Sequence, residues 1–65
     1  MTQKDQVKVM RAGFKIIRAD VQNLVIKFKD KDNLHWKTLQ SDFKSKAALQ
    51  RGMETLLKMQ LFIED

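Results

Sequence analysis

Residues 24–39, LVIKFKDKDNLHWKTL, set Phe28 and Trp36 on either side of a polar turn, and the state of this stretch decides the fold class. Two periodicities compete for it. Val7, Met10, Phe14, Ile17, Val21, Leu24 and Phe28 follow alternating spacings of three and four residues, as heptad a and d positions do. Alone, that run makes one long helix over residues 3–29 and an all-α helical hairpin with the C-terminal segment. Gly13 interrupts it, and Val7, Val9, Ile16, Ile17, Val21, Val25 and Ile26 are β-branched, which lowers helix propensity and favours strands. Val9, Ile16 and Ile26 would also face solvent on such a helix.

The strand reading uses those residues. About a three-residue loop, Lys31-Asp32-Asn33, with Asn33 in the left-handed region, Phe28 falls opposite Trp36 and Ile26 opposite Thr38. Leu24, Ile26, Phe28, Leu34, Trp36 and Thr38 then share the inner face, where aromatic and β-branched pairs each contribute about 0.2–1 kcal/mol. A preceding strand from Phe14 to Ala19 joins through a turn at residues 20–23. A five-residue loop ending after Asn23 turns Phe14 and Ile16 inward, whereas a two-residue Gln22-Asn23 turn brings in Ile17, Ala19 and Val21.

Ser45 is a good N-cap for the segment that follows, in which Leu49, Met53, Leu56 and Ile63 form one stripe with Leu57 beside it. A helix over residues 45–62 is expected, with Gly52 allowing it close to Trp36. Glu64 and Asp65 are unfavourable at a helix C-terminus, so fraying is expected by Phe62. Residues 1–12 read as a polar tail or as a short helix capped by Thr2 and stopped by Gly13. The expectation is a single α+β domain over residues 1–65, a three-stranded antiparallel β-meander (14–39) packed against one C-terminal α-helix.

The run Trp36-Lys37-Thr38-Leu39, then Phe43, Ser45-Lys46-Ala47-Ala48 with Arg51, and the closing Ile63-Glu64-Asp65 resembles a group of small uncharacterised bacterial proteins. The resemblance covers roughly Phe14 to the end. It implies a strand-rich first half and a C-terminal helix, and it implies no activity.

A chain of 65 residues buries only about 60% of its unfolded surface. With no cysteine and one histidine, it has neither disulfides nor an evident metal site as reinforcement, so self-association as a homodimer is expected. No leader pattern or membrane-length apolar run is present, and a cytoplasmic location is expected. The net charge of +5 lies wholly in residues 1–37, which carry nine Lys or Arg against four acids, while residues 38–65 balance four against four.

No catalytic, metal-binding or nucleotide-binding motif stands out. His35 has no nucleophile or acid placed beside it by spacing, and an exposed sheet position accounts for it. Residues 30–33, DKDN, begin like a calcium loop, but the required glycine and glutamate positions hold His35 and Ser41. The chain is therefore expected to be no enzyme and to need no cofactor, metal or small-molecule substrate. Met10, Met53 and Met59 suit either core filling or an adaptable contact surface, with Met53 on the core stripe.

Two binding classes remain. In the first, DNA or RNA meets a basic sheet face of Lys27, Lys29 and Lys37, extended by Lys15 and Arg18. The register sets Lys27 opposite Lys37, a like-charge pair that a polyanion would relieve. That face holds no aromatic, so recognition is expected by charge and shape. In the second, a protein-interaction or assembly module, Val25, Leu39, Met59, Leu61 and Phe62 make the contact and the charge confers solubility.

Overall fold

The computed structural model describes residues 2–65 and is α+β. Helix α1 (Gln3–Arg11) is followed by the meander β1 (Lys15–Asp20), β2 (Val25–Asp30) and β3 (Asn33–Gln40), then α2 (Lys46–Leu57) and a short β4 (Phe62–Glu64). The three meander strands are antiparallel. β4 joins parallel to the free edge of β1, giving the order β3-β2-β1-β4.

Residues 3–11 are helical for the capping reasons the sequence offers. Thr2 Oγ1 accepts the Asp5 amide at 3.2 Å, Asp5 favours the first turn, and Lys8 and Arg11 favour the last. Gly13 stops the helix at φ +99°, which side-chain-bearing residues rarely adopt. Of the two readings of residues 1–12, the short helix is the one formed.

The β1–β2 register is the one expected of the Gln22-Asn23 turn. Ile17 pairs with Phe28 and Ala19 with Ile26, on the face covered by α2. The ladder opens after Asp20 and Val25, so the connection spans residues 21–24, with Leu24 at φ +52°. Val21 is consequently 49% exposed rather than inside. Asp20 holds the turn: Oδ1 accepts the Gln22 and Asn23 amides, and Oδ2 accepts Asn23 Nδ2. Phe14 is not inside either, and Ile16 is buried on the opposite face, where α1 lies against β1 and buries Met10.

The second hairpin departs from expectation. Its loop is two residues, with Asp30 paired to Asn33, because Asp30 Oδ1 accepts the Asp32 and Asn33 amides and Asn33 Nδ2. The register then shifts twice, so that Phe28 faces Lys37, Lys27 faces Thr38 and Ile26 faces Gln40. Trp36 and Thr38 therefore leave the α2 face, and Leu34 is 61% exposed. Phe43 occupies the space expected for Trp36. A Cβ on Gly52 would lie 2.7 Å from the Phe43 ring and 3.3 Å from Ile26 Cδ1, so the close approach allowed by glycine is to Phe43.

The main core is Ile17, Ile26, Leu49, Met53 and Leu56, with Phe28, Phe43, Leu57 and Phe62 at its margin. Ser45 Oγ accepts the Ala48 amide at 3.1 Å, as expected of its cap role. Helix α2 ends at Leu57, not near Phe62, and Ile63 belongs to β4 instead of the helical stripe. Pairing explains the early end. Phe62 and Ile63 lie beside Lys15 and Ile16, the Lys15 amide donates to Leu61 O, and the Asp65 amide donates to Ile17 O, satisfying a β1 edge that a longer helix would leave open.

Gly52 yields a sign-changing prediction. Gly52→Ala gains about 1 kcal/mol of helix propensity, but it drives a methyl into Phe43, and overpacking costs about 1–3 kcal/mol. It is expected to destabilise the wild-type chain and to be neutral or stabilising in a Phe43→Ala background. Urea unfolding of the four species checks this, and an equal effect in both backgrounds contradicts the packing.

Candidate functional site

The sheet face opposite α2 carries Arg18 of β1 and Lys27 of β2 directly across from each other, with Lys29 one pleat along beside Ile16. Two cations so placed repel by up to about 1 kcal/mol. Asp20 offsets this, its Oδ2 lying 3.4 Å from Lys27 Nζ. Trp36 comes over the same face: the Lys29 ammonium is 4.6 Å and the Arg18 guanidinium 5.7 Å from its ring centroid. Such cation–π contacts contribute about 0.5–1 kcal/mol each at exposed sites.

Lys29 is held from behind. Its Nζ donates to Gln6 Oε1 at 3.1 Å, and Gln6 Nε2 donates to Asp65 Oδ1 at 2.9 Å. Gln6 is 7% exposed, and this chain satisfies both ends of its amide. Helix α1, β2 and the C-terminal residue thereby fix the ammonium beside the indole. Arg18, Ala19, Asp20, Val21, Gln22, Lys27 and Trp36 enclose an open cavity of about 390 Å³, within the range of sites that take small ligands.

Five lysines and arginines were candidates for a basic sheet face; alternation along β1 separates Lys15 from Arg18, and the β3 register separates Lys37 from Lys27 and Lys29. Arg18, Lys27 and Lys29 converge with Trp36. Lys37 pairs with Phe28 on the other face, and Lys15 lies there too, 3.8 Å from Asp30 Oδ2 and 5.9 Å from the Phe28 ring. The expected Lys27–Lys37 opposition does not exist, and Lys27 opposes Thr38. The expectation of a basic face without an aromatic is likewise corrected. Its missed signal is Asp30-x-x-Asn33, since an Asp that caps the turn amides shortens the loop by one residue and re-aims Trp36. Gln6 carried no signal, because nothing local marks a polar helix residue for burial.

The expected contact residues do not form one patch. Leu39, 36% exposed, is the extra residue at one β3 shift, while Met59 and Leu61, 52% and 45% exposed, lie in the α2–β4 connection at the opposite edge of the sheet. Val25 is half-buried opposite Asp20, and Phe62 packs against the core.

The turn carboxylates give a pH prediction. Hydrogen bonds from Asn23, first its side chain and then its amide, hold Asp20 below the usual aspartate value despite some desolvation, with Lys27 adding to the effect. At Asp30 desolvation pushes upward, but donation from Asp32 and Asn33 and the charge of Lys15 outweigh it, and the net direction is again down. A carboxylate whose folded pKa is depressed stabilises the fold above its unfolded pKa and loses that contribution as pH falls through the folded value. Stability is therefore expected to drop below about pH 4, and Asp20→Asn with Asp30→Asn to flatten the profile. Urea midpoints measured from neutral to acid pH check it; an unchanged acid limb in the double variant contradicts it.

Comparison of the chain with models of protein families, with curated proteins and with solved structures gives no match.

Proposed function

We propose that this protein is a small non-enzymatic binding module that holds single-stranded nucleic acid on the Arg18–Lys27–Lys29–Trp36 face. One observation carries the reading: the chain's only tryptophan lies among cations on the sheet face away from α2, beside an open cavity. Single strands are bound by this combination elsewhere in protein chemistry, because every base has a π-face to stack and every linkage a phosphate to neutralise. A duplex buries its base faces and would use only the cations.

The sole tryptophan reports directly on its own site. Titration with a short oligothymidylate at low salt is expected to quench Trp36 emission. Trp36→Ala, followed by anisotropy of a labelled oligonucleotide, is expected to weaken binding by about 1–3 kcal/mol, the usual contribution of a stacked base. Emission that does not change, or an alanine variant that binds equally well, contradicts the reading.

Exposed Met59 and Leu61 favour a second reading, self-association at the α2–β4 connection. Light scattering over a dilution series tests it. A monomer mass throughout removes it.

A further inference from the structure

We infer that the groove between α1 and the start of β3 is a second binding site, fitted to an acidic peptide segment that carries an apolar side chain. Two adjoining cavities, of about 290 and 360 Å³, open there and share Val7, Met10 and Leu34. Met10 is buried and forms an adaptable floor, while Val7 and Leu34, 39% and 61% exposed, stand open to solvent. Gln3, Gln6, Lys4, Arg11, Lys31 and Lys29, the last shared with the Trp36 face, complete the lining, and none of its described residues is acidic. Of the carboxylates around it, Asp65 accepts from Gln6 at one end, and Asp30 and Asp32 border a neighbouring cavity, where Asp30 is engaged by its turn and by Lys15.

Charge complementarity and chemistry together select the occupant. The cationic rim calls for carboxylates or phosphates, and the aliphatic wall decides between them. A nucleic-acid strand would find no aromatic surface among the lining residues and would leave Val7, Met10 and Leu34 against a polar backbone. A peptide with a leucine or phenylalanine between acids covers the wall and neutralises the rim at once. A second copy fits less well, since the chain is basic overall and its own apolar-acidic segment, Ile63-Glu64-Asp65, is already committed to β4 and its hydrogen bonds.

The test is an amide-shift titration of the full ¹⁵N-labelled chain with a synthetic peptide of alternating aspartate and leucine. Shifts are expected at Val7, Met10, Lys31 and Leu34, with Arg18 and Trp36 little affected. Leu34→Ser, a change at an exposed position that leaves the core untouched, is expected to weaken binding about tenfold. Replacing the peptide's aspartates with asparagine is expected to abolish most of it. Arg11→Glu with Lys31→Glu supplies a second, independent loss should Leu34→Ser disturb the hairpin. The inference is overturned if millimolar peptide moves none of these amides, if Leu34→Ser and the charge reversals bind as the wild type does, or if the asparagine peptide binds equally. Groove shifts on dilution without peptide assign the surface to a second copy, and larger groove shifts with oligothymidylate assign it to nucleic acid. Either result overturns it as well. Trp36 does not line the groove, so its quenching is read separately from the peptide arms.

Discussion

Replacing Ile26 with alanine is expected to lower stability by about 2–5 kcal/mol, the cost of emptying a fully buried aliphatic position. Ile26 is 0% exposed, lies in the core with Ile17, Leu49, Met53 and Leu56, and reaches toward Gly52 beside the Phe43 ring. A domain of 65 residues at about 0.05–0.15 kcal/mol per residue holds only roughly 3–10 kcal/mol in all. The variant is therefore expected to lose at least about 2 M in urea midpoint, at a slope near 1 kcal/mol per molar, or to be unfolded outright. Leu34→Ala is the companion. In a hairpin with a three-residue loop Leu34 shares the inner face with Ile26 and the two changes cost alike; with Leu34 61% exposed, its replacement is expected to stay within about 0.5 kcal/mol. Similar losses in both variants contradict the two-residue loop and the register it sets.

The same contrast shows what was legible in the sequence. The existence of both hairpins followed from β-branched residues that a helix could not use, and the start of α2 followed from Ser45. The inward pair Ile17 and Ala19 was one of two registers that the turn composition allowed, and Asp20 bonding to Asn23 selects it. The β3 irregularity was not legible from alternation, because alternation counts residues and cannot identify which will be extra. Assigning Trp36 to the core followed from a three-residue loop that set it opposite Phe28, and the two-residue loop that forms turns it to the other face. Phe43, from a connection with no strand or helix signal, fills that space, and the indole settles where its ring meets cations.

The end of the chain was misread for a related reason. Residues 58–65 continue an apolar pattern, and local periodicity alone carries them on as fraying helix. Their actual state depends on the open edge of β1, more than forty positions earlier, which offers Phe62 and Ile63 a ladder and Asp65 a carbonyl partner. Of the site, Arg18, Lys27 and Lys29 were legible as sheet cations and alternation along β1 sets Lys15 on the face opposite to Arg18, while bringing Arg18 beside Lys27 and removing Lys37 depended on the register. The aromatic that makes the face a stacking surface depended on it entirely.

Changing Arg18, Lys27 and Lys29 together to glutamine is expected to weaken single-strand binding at low salt by on the order of a hundredfold, and to flatten its salt dependence. For single strands each neutralised phosphate contributes about −0.7 to the slope of log affinity against log salt. Three cations on one face thus predict a slope near −2 that the triple variant loses. The control must remove the same charge elsewhere, so that long-range attraction falls equally in both. Lys37, Lys44 and Lys46 serve: Lys37 pairs with Phe28 on the α2 face, and the other two flank the N-cap of α2. Thermal unfolding of both variants separates lost binding from a loosened fold, since Lys29 also bonds to Gln6. A slope lost equally in both triples assigns the binding to net charge alone. A slope lost only on the Trp36 side assigns the binding to the face where the two-residue loop at Asp30–Asn33 has turned the indole toward Arg18, Lys27 and Lys29.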